Sequence, residues 1–142
     1  MLFDPALAAQ DAFRHAEVEL GSDWDTAVEL EETFSTNAGS TAREAYEGLL
    51  SLASRHPNAY SFQAFCIYIT WQQVTEETIP RHFRTGVKLC EQFLPIAAGH
   101  PSLAQDVAQI RELYQSFEAG LGVGNADEHQ EELDRDTFKG GD

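Results

Sequence analysis

Basic side chains are scarce in this sequence. Nine Lys and Arg residues stand against 24 Asp and Glu residues, which gives a formal net charge of −15. A chain this acidic repels the phosphate backbone of nucleic acids, so nucleic acid is excluded as a partner. A basic protein partner, or simple solubility, fits this charge better.

Long apolar segments are also missing. No window approaches the roughly 20 apolar residues that a transmembrane helix needs. The N-terminal residues MLFDPALAAQD lack the basic region and the apolar run of a secretory signal. We therefore expect a cytoplasmic protein that does not contact a membrane.

Cysteine is nearly absent. Cys66 and Cys90 are the only two, and neither belongs to a CxxC pair. Two cysteines are too few for a disulfide framework in a chain of 142 residues. We expect both to be reduced and buried thiols.

Motifs that carry catalysis or bind metal are missing as well. The sequence contains no GxSxG, HExxH or Cys-His signature. The acidic stretch Asn125–Asp136 fails the EF-hand pattern, because Gln130 occupies the position that requires glycine. The glycine-rich stretch Gly120–Gly124 follows a helical pattern rather than a strand, so we interpret it as a helix stop and linker. We predict no catalytic residue, no cofactor, no metal and no enzymatic activity.

The most informative stretch present is Asn58–Val74, read NAYSFQAFCIYITWQQV. Apolar residues recur at helical spacing around almost its whole circumference, and its length without Gly or Pro is long for a strand. A helix that is apolar nearly all round must be covered by neighbours on most sides. We expect Phe65 and Ile69 on this central helix to be among the most buried residues of the protein.

Apolar periodicity and end signals predict six helices in three antiparallel hairpins. The expected ranges are 5–20, 23–34, 41–55, 58–74, 80–94 and 102–120. Asp4, Ser22 and the pair Thr41 and Glu44 supply N-terminal caps, while Pro95 should stop or kink the fifth helix. We predict one helical domain over residues 1–121 and an acidic flexible tail over residues 122–142.

A 44-residue echo connects two parts of the chain. The residues that precede and form His56-Pro57 recur around His100-Pro101. The segment Glu44–Phe65, EAYEGLLSLASRHPNAYSFQAF, resembles a junction between two tetratricopeptide repeats, with Ala45, Leu49 and Pro57 at the family's small, apolar and proline positions. The resemblance covers about a third of the chain. It implies an all-α superhelix that binds proteins or peptides, with a compact orthogonal bundle as the other arrangement.

Basic residues concentrate at one place despite their scarcity. Arg81, His82 and Arg84 open a helix that begins at Pro80, and Lys88 follows one turn later. Cations at a helix N-terminus are disfavoured by about 0.3–1 kcal/mol each, and broken local rules often mark functional sites. The cluster either pairs locally with Glu76 and Glu77 or recognises an acidic group on a partner or in the chain's own tail.

Aromatic residues of the central helix offer a second candidate surface. They either fill the core or line a binding site, and those with polar handles are the ones we expect at a surface, namely Tyr60, Tyr68 and Trp71. We predict a non-enzymatic interaction module, an adaptor, chaperone or immunity-type binder, that engages a protein or peptide of unknown identity as a monomer or homodimer. The alternative is a small-molecule-binding or enzymatic helical domain with an aromatic pocket beside this helix.

Overall fold

Helices account for nearly all of the chain that the structure, a computed structural model, describes, which is residues 3–76 and 80–123. In chain order the helices are α1 (Pro5–Leu20), α2 (Trp24–Thr36), α3 (Gly39–Arg55), α4 (Tyr60–Glu76), α5 (Pro80–Ala97) and α6 (Ala104–Val123). Short 3-10 turns, Gly21–Asp23 and Pro101–Leu103, precede α2 and α6. No β-strand occurs in these two ranges, which confirms the all-α prediction.

Pro95 does not stop α5, which continues to Ala97, and the alternative expectation of a kink at this proline stays a prediction. The backbone N–H of Ala98 still donates to the Leu94 carbonyl at 3.0 Å, so the hydrogen-bond ladder passes the proline. Pro95 lies in the last turn and is exposed. The helix therefore loses little more than the one bond that the proline nitrogen cannot donate.

Two of the three predicted caps are wrong. The Asp4 carboxylate accepts from the Ala6 N–H at 3.0 Å and caps α1 as expected. Ser22 instead lies in a 3-10 turn, and α3 begins at Gly39, before the proposed capping box at Thr41. Gly39 has a φ of +65°, a conformation that favours glycine and that lets the chain enter the helix two residues early.

The sixth helix was predicted to end at residue 120, whereas α6 runs on to Val123, which still lies within the stretch Gly120–Gly124 interpreted as the helix stop. Glycine is needed at position 120 for a different reason. A Cβ there would lie 2.0 Å from Cε1 of Phe83, so only glycine lets the ring pack against the helix. Residues 124–142, most of the predicted tail, lie outside the described residues, and the predicted domain boundary stays a prediction.

Contacts divide the chain into two compact units, Met1–Ile69 and Thr70–Asp142, with the boundary inside α4. In the N-terminal unit α2 packs along α3, and in the C-terminal unit α5 packs along α6. The part of α4 from Ala64 to Thr70 is buried without interruption. Seven consecutive buried residues cover every side of a helix, which confirms that α4 is enclosed. Phe65 and Ile69 are 3% and 1% exposed, as predicted.

The start of α4 is held by polar side chains of the N-terminal unit. Both carboxylate oxygens of Glu19 accept backbone N–H groups, from Ser61 at 3.0 Å and from Phe62 at 3.1 Å. These are two of the donors that an α-helix leaves unpaired at its N-terminus. Nearby, the Asp23 carboxylate and His56 Nε2 lie 2.7 Å apart. This contact occupies the side chain of Asp23, which precedes α2 without capping it.

Candidate partner-binding surface

Three cations share the outward side of α5. Arg81 and Lys88 are exposed and Arg84 is half-buried. Their spacing of three and four residues places them on one helical stripe. The buried side of α5 is formed by other residues, which are His82, Gly86, Cys90, Phe93 and Ala97. We call Arg81, Arg84 and Lys88 the basic face of α5.

The basic face begins in the first turn of α5, where the helix dipole already contributes a partial positive charge. Among the residues described, neither Arg81 nor Lys88 forms an ion pair. The side chains of the predicted partners Glu76 and Glu77 lie outside the described part of the chain. The positive charge of this surface is therefore concentrated in a chain that is otherwise strongly acidic.

One turn after Lys88, the last residue of the basic face, the chain carries Glu91. There the Glu91 carboxylate accepts a hydrogen bond from the Tyr114 hydroxyl at 3.0 Å. This bond, followed by burial, raises the pKa of Tyr114 to about 12, so the phenol stays protonated at neutral pH. A negative group thus closes the C-terminal end of the basic stripe.

Close packing against α6 sets the direction in which the basic face points. A Cβ on Gly86 would lie 2.3 Å from the Phe117 ring, and one on Gly120 would lie 2.0 Å from the Phe83 ring. The rings therefore sit directly on glycine backbone, and these contacts join the start of α5 to the end of α6. Sequence reasoning missed both contacts. The available signal was Gly86 in the middle of an apolar helical stripe, where glycine usually has a packing reason.

Two of the predicted binding residues are buried instead. Tyr68 is completely buried and packs edge-on against Phe3, with ring centroids 6.0 Å apart. His82 is 4% exposed, because it lies one residue after Arg81 and so on the buried side of α5. A partner docking on the surface could reach neither side chain, which corrects the prediction for both.

The other two predicted aromatic residues are half-buried. Tyr60 opens α4 in the N-terminal unit. Trp71 belongs to the C-terminal unit, where its ring meets Phe117 edge-on with centroids 5.3 Å apart. Of the predicted set, the structure thus groups Arg81, Arg84 and Lys88 on one stripe, whereas the role of Tyr60 and Trp71 stays a prediction.

The thiols are poor nucleophiles. Cys66 and Cys90 are free and buried, as predicted. Burial raises the pKa of the Cys66 thiol far above its ordinary value, and burial together with Glu91 and Glu118 raises the pKa of Cys90 to about 12. Both thiols are therefore protonated at neutral pH, while the reactive form of cysteine is the thiolate.

Within 3–76 and 80–123, His, Cys, Asp and Glu residues nowhere gather in a group of three or more that could hold a metal ion. Over that same part of the chain, the helices are too short or too polar to cross a lipid bilayer.

No family model, curated protein or solved structure matches this chain.

Proposed function

We propose that this protein is a non-enzymatic interaction module whose basic face of α5 binds an acidic segment of a partner protein. The observation that carries the proposal is the position of Arg81, Arg84 and Lys88. A chain of net charge −15 places three of its nine basic residues on one outward stripe of two turns. Repulsion among these cations and the helix dipole makes that placement unfavourable unless a negative group compensates it.

The stripe fits carboxylates better than a single small anion. Seven residues separate Arg81 from Lys88, which corresponds to roughly 10 Å along a helix. Guanidinium groups bind carboxylates through two parallel hydrogen bonds, and the positive end of the helix dipole adds to the attraction. The partner should therefore present two or three carboxylates over a similar distance.

Any local ion pairs of these side chains would compete only weakly. Exposed pairs contribute about 0–1 kcal/mol, so a partner that offers several carboxylates together could displace them. The arrangement of the helices as antiparallel hairpins in a tetratricopeptide-like superhelix remains part of the proposal. The packing of α2 along α3 and of α5 along α6 supports helix pairs within each unit, while the superhelix is implied by the resemblance of Glu44–Phe65 alone.

The proposal is tested by affinity capture with the full chain as bait. Arg81→Glu with Arg84→Glu should abolish recovery of the main partner, and raising salt to about 1 M should weaken wild-type capture, because the Debye length falls to roughly 3 Å. The matched control is Arg14→Glu with Arg111→Glu, which changes the net charge equally at two exposed positions elsewhere.

A second variant tests whether the positive charge alone is sufficient or whether the guanidinium group is required. Arg81→Lys with Arg84→Lys keeps the charge but removes bidentate binding, so recovery should fall partway. If the charge-reversed protein folds normally, as judged by circular dichroism, and captures the same partners at the same yield, then the basic face is not the binding surface.

A further inference from the structure

The outward side of α2 carries only negative charge. From Glu17 to Glu32 the chain contains seven Asp and Glu residues and no Lys or Arg. Glu19 and Asp23 are engaged at the start of α4 and with His56, as described above. Glu31 is half-buried, and burial together with Glu32 raises its pKa.

Three carboxylates remain exposed on one stripe of α2. Asp25, Glu29 and Glu32 lie opposite the buried Ala27, and we call them the acidic face of α2. Like charges three and four residues apart destabilise a helix. In the two described ranges none of the three forms an ion pair that would relieve this repulsion.

The spacing of the acidic face mirrors that of the basic face. Along α2 the carboxylates are separated by four residues and then by three, whereas along α5 the cations are separated by three and then by four. If the two helices run in opposite directions, the two members of each pair lie at the same level along the helix axes. The pairs are Arg81 with Glu32, Arg84 with Glu29, and Lys88 with Asp25. Each stripe extends over roughly 10 Å.

We infer that the basic face of α5 binds a second copy of this chain, through the acidic face of its α2 in antiparallel orientation. This inference rests on the proposed function, because it assigns a partner to the same basic face. Val28, which is 38% exposed, borders the acidic face and adds apolar area to the contact. A closed dimer and a longer head-to-tail assembly both satisfy this contact.

Net charge works against association at long range. Two chains of charge −15 repel each other, but at about 0.15 M salt this repulsion is screened beyond roughly 8 Å. Opposed charges in direct contact are screened less. Association should therefore be detectable at about 0.15 M salt and be lost near 1 M.

The experiment is sedimentation velocity of the full chain over a concentration series. Reversal of the basic face (R81E, R84E, K88E) should weaken self-association at least about tenfold, because it juxtaposes like charges. Reversal of the acidic face (D25K, E29K, E32K) should do the same. An equal mixture of the two variants should associate again, since each then offers the other an oppositely charged stripe.

A matched control reverses Glu17, Glu44 and Glu47 to Lys, three exposed carboxylates outside the acidic face. It changes the net charge as much as the acidic-face variant does and should not disturb the contact. If a triple reversal fails to fold by circular dichroism, the neutral set R81Q, R84Q, K88Q replaces it and should also weaken association.

Three results would overturn the inference. They are a wild-type chain that stays monomeric at every concentration, reversed variants that associate as the wild type does, and a mixture that does not recover association. A monomeric wild type whose partner capture is still lost on reversal of Arg81 and Arg84 would reject self-association and leave the proposed function standing. Unchanged capture would reject the proposed function itself.

Discussion

The two His-Pro turns share two backbone hydrogen bonds but differ in the side chains beside them. The N–H of His56 donates to the Ala53 carbonyl at 3.1 Å, and the N–H of His100 donates to the Ala97 carbonyl at 2.9 Å. Three residues after each histidine, an N–H returns to the histidine carbonyl, at 3.0 Å and 2.9 Å respectively. The sequence pattern that is repeated after 44 residues therefore corresponds to a repeated pair of backbone hydrogen bonds.

Side chains distinguish the two turns. The Gln63 amide donates to the Ala53 carbonyl at 2.8 Å and to the His56 carbonyl at 3.0 Å, so it fastens α4 to the end of α3. The residue 44 positions later is Val107, which is buried and whose side chain has no hydrogen-bond donor. The Gln63 amide thus supports the first turn, and a buried valine stands at the matching position after the second.

The helix pairs of the two units differ in a related way. In the N-terminal unit, a Cβ on Gly48 would approach the Leu30 methyl groups at 3.0 and 3.3 Å. In the C-terminal unit, a Cβ on Gly86 would come within 2.3 Å of the Phe117 ring. A half-buried leucine can move aside, whereas a completely buried ring cannot. The N-terminal unit should therefore tolerate small changes between α2 and α3 better than the C-terminal unit tolerates them between α5 and α6.

The largest expected effect comes from Gly86→Ala, compared with Gly48→Ala. Forcing a methyl group into the Phe117 ring should cost about 1–3 kcal/mol of unfolding free energy, more than the roughly 0.5–1 kcal/mol that alanine gains in a helix. Gly48→Ala should be neutral or slightly stabilising, because the leucine can shift. Urea denaturation of the two variants measures the difference. Equal effects would show that the two helix pairs do not differ in tolerance.

Features that depend on one helix were predictable from the sequence. The enclosure of α4 follows from apolar residues on all its sides, and the basic stripe follows from the spacing of Arg81, Arg84 and Lys88. The burial of His82 was predictable too, because it continues the stripe that passes through Gly86 and Cys90. His82 stands beside Arg81 and Arg84 in the sequence, but on the helix it lies on the buried stripe and not on theirs.

Features that join distant parts of the chain were not predictable. Glu19 caps a helix that begins about 40 residues later, and a single sequence does not show which carboxylate reaches which helix start. Gly86 and Gly120 were recognisable as unusual residues within a helix. The rings that occupy the space of their missing side chains come from a different helix in each case. The expected caps at Ser22 and Thr41 failed for a local reason, since a 3-10 turn contains Ser22 and the positive φ of Gly39 starts α3 before Thr41.

A smaller effect is expected from Gln63→Val, which gives the first turn the side chain type found at the second. Two hydrogen bonds are lost, each contributing about 0.5–1.5 kcal/mol, but both carbonyls keep a backbone donor. We expect a loss of about 1–2 kcal/mol and faster amide hydrogen exchange at Ala59. Gln72→Val, a half-buried position on the same helix, is the control. If both variants lose equal stability, then the amide bonds of Gln63 do not support the turn.

The smallest effect concerns the Asp23–His56 contact, the only one of the three that depends on pH. The hydrogen bond from His56 lowers the pKa of the Asp23 carboxyl below its ordinary value of 3.8. A group whose pKa is lowered on folding stabilises the protein above its ordinary pKa, and this contribution disappears as the pH falls through the folded-state value. Asp23→Asn should therefore lower the melting temperature at about pH 5 but leave it close to that of the wild type near pH 2. Asp25→Asn, on the exposed side of α2, removes one charge without touching the turn and should show no such convergence. A difference between wild type and Asp23→Asn that stays constant down to about pH 2 would mean that the ionised carboxylate is not what stabilises the first turn.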